Sequence, residues 1–326
     1  MSDAVAQRSP LRLAVVGCGA VAQKLYARTL PRVACVRAEF VVDLNAEAAN
    51  ALAARLGARA VSLEEARENA DAVIIATPPG LHREHVELFL RPGRVIVCEK
   101  PFVGSERDAL ELVEGARQSG CELFVGHFRR SFPALRLARE VAATGVMGRL
   151  CSMSVCEGFR FDWQTASDYL VTDRLGGVLF DTGSHCMDMA LHAARLDEES
   201  FGLVVRSVRR ERAEPAHEID ARFVIQQGDG EIEVRLLLSR YQSLANRIRL
   251  VYERGTIDMP CTVRDGIRVS GPSGSTLLRT GDARSDPAEF VVEQWNAIFG
   301  SRDKRFEAQR FRGLSAILEA LAGAGT

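Results

Sequence analysis

Lysine is nearly missing from this chain: of 42 basic residues only Lys24, Lys100 and Lys304 are lysines, and the rest are arginines. Net charge is nearly missing too, at -1, which excludes the broad basic field that nucleic acid or an anionic membrane would need. The eight cysteines (18, 35, 98, 121, 151, 156, 186 and 261) contain no Cys-x-x-Cys pair and lie mostly in apolar runs. That pattern argues against a zinc site or a disulfide framework and suits reduced, buried thiols in the cytoplasm. No apolar run approaches the roughly 18 residues of a membrane span, and no stretch of signal length precedes Leu11. The expected partners are small molecules and other copies of the chain.

At 326 residues the chain is long enough for two cores. From Leu11 an apolar strand, a glycine turn and a helix follow one another, and the alternation continues with strands at 40–42, 72–76, 94–98 and 121–125. Strands that alternate with helices predict a doubly wound parallel sheet, an α/β domain over 10–126. Beyond it come longer strands at 149–157, 203–211, 217–227, 231–239 and 246–253. Gly228-Asp229-Gly230 between two alternating runs is a hairpin signal, so 127–326 is expected to form a mostly antiparallel α+β domain. Helices are expected near 177–195, 287–300 and 307–322, and the Gly/Ser cluster at 270–275 as an exposed loop.

Gly17-x-Gly19-x-x-Ala22 sits between the first strand and the first helix, the setting that gives a weak glycine motif its meaning. Gly17 permits the tight turn, and Gly19 lets a pyrophosphate approach the backbone amides around Ala20 and Val21. Ala22 keeps helix and strand close. Asp43, at the end of the second strand, is placed to bond an adenosine ribose. No arginine stands beside it, so the expected cofactor is NAD, with NADP disfavoured by the carboxylate.

Two further clusters carry chemistry. Lys100, in Glu99-Lys100-Pro101, stands where the strand Val95-Ile96-Val97-Cys98 runs out. An ammonium can exchange a proton near neutral pH when buried, whereas a guanidinium stays charged. The second cluster is Gly176-Gly177-x-x-x-Asp181-x-Gly183-x-His185-x-x-Asp188. On a helix, Asp181 and His185 share a face, and a carboxylate beside an imidazole suits a general acid/base. A core histidine with no chemical role, or a metal stripe of Asp181, His185, Asp188 and His192, are the alternatives. No cysteine or further histidine is spaced to complete such a stripe, so no metal is expected.

These three elements, in this order, resemble the Gfo/Idh/MocA family of sugar and cyclitol oxidoreductases over roughly residues 11–255. The resemblance implies a Rossmann domain followed by an open sheet whose face covers the nicotinamide. It implies Lys100, Asp181 and His185 as the catalytic set around a sugar hydroxyl, with His185 exchanging the proton and Asp181 orienting it. Ala76, Thr77, Pro78 and His82 match the family's loop along the cofactor, and Glu99 is expected to anchor the turn or touch the cofactor. His127 matches a crossover position often held by asparagine or tyrosine and is a substrate candidate of open role.

The implied activity is an NAD-dependent dehydrogenase or ketoreductase acting on a sugar, cyclitol or nucleotide sugar. A non-catalytic sensor of NAD or sugar, or a redox-assisted elimination, are the alternatives within the same fold. The segment 157–174, with Phe159, Arg160, Phe161, Trp163, Tyr169 and Arg174, is the candidate for specificity. Aromatic faces suit sugar rings and arginines suit phosphate, although a packed aromatic loop would look the same. A homodimer or homotetramer is expected through apolar outer positions of strands 217–253.

Overall fold

The computed structural model describes residues 9–160, 173–211 and 216–324. Six parallel strands form the first sheet: β1 (Leu11–Val16), β2 (Val36–Val42), β3 (Arg59–Ala60), β4 (Ala72–Ile75), β5 (Val95–Glu99) and β6 (Glu122–Gly126). Their spatial order is β3-β2-β1-β4-β5-β6. Strands covered on both faces read as unbroken apolar runs, and all four residues of β4 are buried. The helices between them carry their own stop and start signals. Asn45 caps Ala46–Leu56 by accepting from the amides of Glu47 and Ala48, and Ser105 caps Glu106–Ser119 through the amide of Asp108. The short strand β3 and the helix Leu63–Asn69 escape the sequence reading because neither is long enough to show a period.

Strand order reverses between β1 and β4. In open α/β sheets the crevice beyond the carboxyl ends of such a pair is where ligands bind. Here those ends lead directly into Gly17 and into Ala76-Thr77.

Eight strands form the second sheet: β7 (Leu150–Gly158), β8 (Gly202–Arg210), β9 (Glu218–Gln227), β10 (Gly230–Ser239), β11 (Arg247–Tyr252), β12 (Gly255–Pro260), β13 (Gly266–Gly271) and β14 (Gly274–Arg279). Their order is β14-β13-β12-β11-β7-β10-β9-β8. The sheet is mixed: β7 and β10 run parallel, while the other neighbours are antiparallel. The parallel pair arises because the chain leaves β7, passes through the helix Ser184–Ala193 and adds β8 and β9 before β10 returns beside β7. The expected loop at 270–275 is instead the tight turn between β13 and β14.

One face of this sheet is apolar, with Met153, Val155, Phe223, Leu236, Leu250 and Ile257 among its buried residues. The outer face, where apolar positions awaiting a partner were expected, is mixed. Beside Val224 and Leu237 it carries Asp220, Arg222, Glu233 and Arg235, and Arg249 pairs with Asp258 at 2.8 Å. Alternation was legible in these strands, but their solvent-side residues are mostly charged.

The chain also returns to the first sheet. Trp295, at the end of the helix Pro287–Trp295, is fully buried among Leu13, Val15, Tyr26 and Phe306. Its ring stands edge-on to Tyr26 at 5.3 Å, and Nε1 donates to Thr29 Oγ1 at 3.3 Å. The residues that follow β14 therefore help to fill the core beside the glycine turn.

Candidate active site

The glycine turn is built tightly against the neighbouring strand end. Gly17 has φ +98°, and a Cβ there would lie 2.5 Å from the carbonyl carbon of Ala76 and 2.7 Å from the nitrogen of Thr77. Only glycine fits, for reasons of both space and backbone angle. Gly19 is different: a Cβ on it would meet nothing within 4 Å. That open space beside the turn is where a pyrophosphate has room, so the residues present fit a dinucleotide. Asp43 closes the turn, with Oδ2 accepting from the amide of Cys18 at 2.6 Å and Oδ1 from that of Asn45 at 2.8 Å. Leu44, next to it, is fully exposed.

The loop after β4 is held from behind by His82. This residue is buried, with Nδ1 2.8 Å from the Pro101 carbonyl and Nε2 3.0 Å from that of Thr77. Burial holds its pKa below the usual histidine range. His82 thus clips Thr77 to the turn that carries Lys100, and Ala76, Thr77 and Pro78 keep partial exposure around it.

That turn has a second anchor. Glu99 accepts from the Lys100 amide at 3.1 Å and from the hydroxyl of Tyr26, which lies on the helix after the glycine turn. Burial raises the Glu99 pKa, opposed by Tyr26 and Lys100. Gly126 makes room, since a Cβ there would lie 2.9 Å from Glu99 Oε1.

Lys100 and Asp181, both in the set that the resemblance implies, lie together, with Nζ 2.5 Å from Oδ1. The other carboxylate oxygen meets an arginine that sequence reasoning missed, Arg240 Nη2, also at 2.5 Å. Burial opposes the charge of Asp181, but Lys100 and Arg240 outweigh it and lower its pKa to about 2.

His185 follows on the same helix, where a wider π-type turn at Leu179–Gly183 leads into Ser184–Ala193. Asp181 was expected to orient it, and its side-chain hydrogen bonds go instead to Lys100 and Arg240. Nδ1 of His185 is buried without a hydrogen-bond partner among the described residues. The ring is held by packing instead, 5.0 Å from His127 and 5.9 Å from Phe128, edge-on to each. Burial, followed by the charges of Arg129 and Lys100, pushes its pKa well below 6.5.

His127 has no exposed surface and backs His185, so it does not present itself to a substrate. Its Nδ1 lies 3.2 Å from Asp188, and burial lowers its pKa to about 4. Asp188 is gripped by Arg130 through Nε at 2.9 Å and Nη2 at 2.5 Å. Asp197 joins Arg130 to His192, whose Nδ1 is 2.8 Å away. Asp188 and His192 therefore belong to a buried ion network under the helix and not to a metal stripe with Asp181 and His185. Arg129 forks onto Glu157 at 2.8 and 3.0 Å beside this network. Arg160 is exposed after β7, and Trp163, with Phe161 and Tyr169, lies outside the described residues.

Residues 11–127 match the family model described as "Oxidoreductase family, NAD-binding Rossmann fold". Over that first domain the chain matches the Gfo/Idh/MocA family. Among curated relatives, an uncharacterized oxidoreductase of Streptococcus pneumoniae is 31% identical over 150 residues, 44% of this chain and 40% of its own. Inositol 2-dehydrogenase of Rhizobium meliloti is 29% identical over 182 residues, 55% of this chain and 54% of its own. These matches thus span about half or less of the relatives' lengths. Among solved structures, the 3-ketoreductase KijD10 of Actinomadura kijaniata, in complex with NADP and TDP-benzene, superposes with a TM-score of 0.76 at 19% identity. It covers 96% of this chain and 97% of its own. At that identity the likeness establishes a shared two-domain fold.

Arg240, Arg129 and Glu157 had little signal in the Gfo/Idh/MocA pattern of this chain. Arginine is its ordinary cation, so one more at a strand end stands out only when the sheet brings it to Asp181. Tyr26 was equally silent, lying inside an ordinary helix.

Proposed function

We propose that this protein is an NAD-dependent dehydrogenase or ketoreductase acting on a secondary alcohol or ketone of a sugar, cyclitol or nucleotide sugar. The observation that carries the reading is the meeting of Lys100, Asp181 and His185 beside a turn with room for a dinucleotide. When bound, the nicotinamide supplies the acceptor or donor of hydride.

The chain's own residues do the rest. Amides around Gly17 and Gly19 hold the pyrophosphate, and Asp43 faces the adenosine ribose. Lys100 donates a hydrogen bond to the substrate oxygen and stabilises negative charge on it as the carbon–hydrogen bond breaks. His185, held neutral by burial, is in the form that accepts the hydroxyl proton when the alcohol becomes a carbonyl. In the reverse direction the same groups return the proton to the oxygen.

The test is NADH formation across a panel of polyols, cyclitols, sugars and nucleotide sugars, beside NADH binding followed by fluorescence. Turnover with one class and none by Lys100→Ala supports the reading. Binding of NADH without turnover of any class in either direction overturns it in favour of a sensor.

A further inference from the structure

Arg240 reaches Asp181 from the second sheet, whereas Lys100 reaches it from the first. Arg240 follows β10, and its amide donates to the His217 carbonyl at 2.9 Å. Its side chain is buried, and Nη2 takes Oδ2 of Asp181 while Lys100 takes Oδ1. One carboxylate thus stands between two cations. In a lone pair this short, an ammonium that turned toward a third group would leave a partly buried anion uncovered, at high cost. With an arginine on the second oxygen, the anion stays compensated while the ammonium turns.

We infer that Arg240 is a positioning residue: it fixes Asp181 from the sheet side, so that Lys100 can direct a hydrogen bond to the substrate oxygen without uncovering the carboxylate. This deepens the dehydrogenase reading and rests on it. Among the described residues, the charged and titratable groups that act on Lys100 and Asp181 are Glu99 on the same turn, His185 on the helix and Arg240, while Arg129 and His127 face His185 and Glu157 pairs with Arg129. Arg240 shares the Asp181 carboxylate with Lys100, one cation on each oxygen.

The scarcity of lysine makes the test direct. Reductive dimethylation with carbon-13 formaldehyde labels only three lysines and the chain's amino terminus, and Lys100→Arg identifies the Lys100 signal. That signal is titrated by NMR in the substrate-free protein. In Arg240→Met its midpoint should move upward by on the order of 1 pH unit, because a like charge within about 4–6 Å has gone. Arg240→Lys should return it toward the wild-type value, which a merely space-filling role would not do. Arg240→Gln, neutral but still able to donate, should behave as the methionine variant and serves if that variant fails to fold. An unchanged midpoint in both neutral variants overturns the inference. NADH binding to the wild-type protein is read separately, so its failure would count against the dehydrogenase reading and not against the link between Arg240 and Lys100.

Discussion

The Lys100 ammonium and the Asp181 carboxylate lie 2.5 Å apart although 81 positions separate them, one at the end of β5 and the other on a helix that packs against the second sheet. The distance is too short for a larger head group in the same place. Lys100→Arg keeps the charge but crowds Asp181 and cannot release a proton. Turnover is expected to fall on the order of 100-fold to 1000-fold, the scale of losing a transition-state hydrogen-bond donor. His185→Ala should fall comparably, with NADH affinity nearly unchanged in both. Near-normal turnover in the arginine variant would reduce Lys100 to a source of charge.

The cofactor pocket separates folding from binding at two glycines. Gly19→Ala adds a Cβ into open space, so thermal stability should stay at the wild-type value while NADH affinity drops at least about tenfold, or about 1.4 kcal/mol. Gly17→Ala should lose stability as well, since its Cβ collides with the Ala76 carbonyl. Equal effects of the two substitutions on stability would contradict this geometry.

Preference for NAD over NADP is expected to be at least about tenfold, because the Asp43 carboxylate repels a 2′-phosphate. Leu44 is the lever: fully exposed beside Asp43, it offers a phosphate nothing to bond. Leu44→Arg should narrow the gap mainly by tightening NADP binding, as a titration with both cofactors would read. Stronger NADP than NAD binding in the wild-type protein would refute the assignment.

Five of the six histidines have pKa values lowered by burial, with His127 and His192 each near 4. Below about pH 6.5 the unfolded chain therefore binds more protons than the folded one, and stability falls as pH falls. For His127 and His192 the loss between pH 6.5 and 4 is on the order of 3 kcal/mol each. Asp181 and Asp197, near 2, add their losses only at still lower pH. Urea midpoints should thus decline steadily from pH 7 to pH 5, and a flat profile there would show that the histidines are not neutral in the fold.

Trp295 tests how the end of the chain supports the dinucleotide turn. Trp295→Ala is expected to cost about 3–5 kcal/mol of stability, typical of a fully buried aromatic, and to weaken NADH binding through Tyr26. A loss under about 1 kcal/mol in urea unfolding would mean that residues 287–306 dock only loosely.

The sequence by itself determined what is local. Unbroken apolar strands between helices specify a parallel sheet, and Gly17 declares a turn that no side chain tolerates. The spacing of Asp181 and His185 places them one helical turn apart. Tertiary structure decided what these residues do to one another. Asp181 was expected to serve His185, its neighbour on the helix, yet it serves Lys100 and Arg240, because two sheets bring cations to it from either side. The parallel pairing of β7 with β10, the charged outer face and the burial of Trp295 beside Tyr26 were hidden for the same reason. Periodicity reports which face of an element is apolar. It does not report which distant element will cover that face, nor which of many arginines will be carried to a carboxylate.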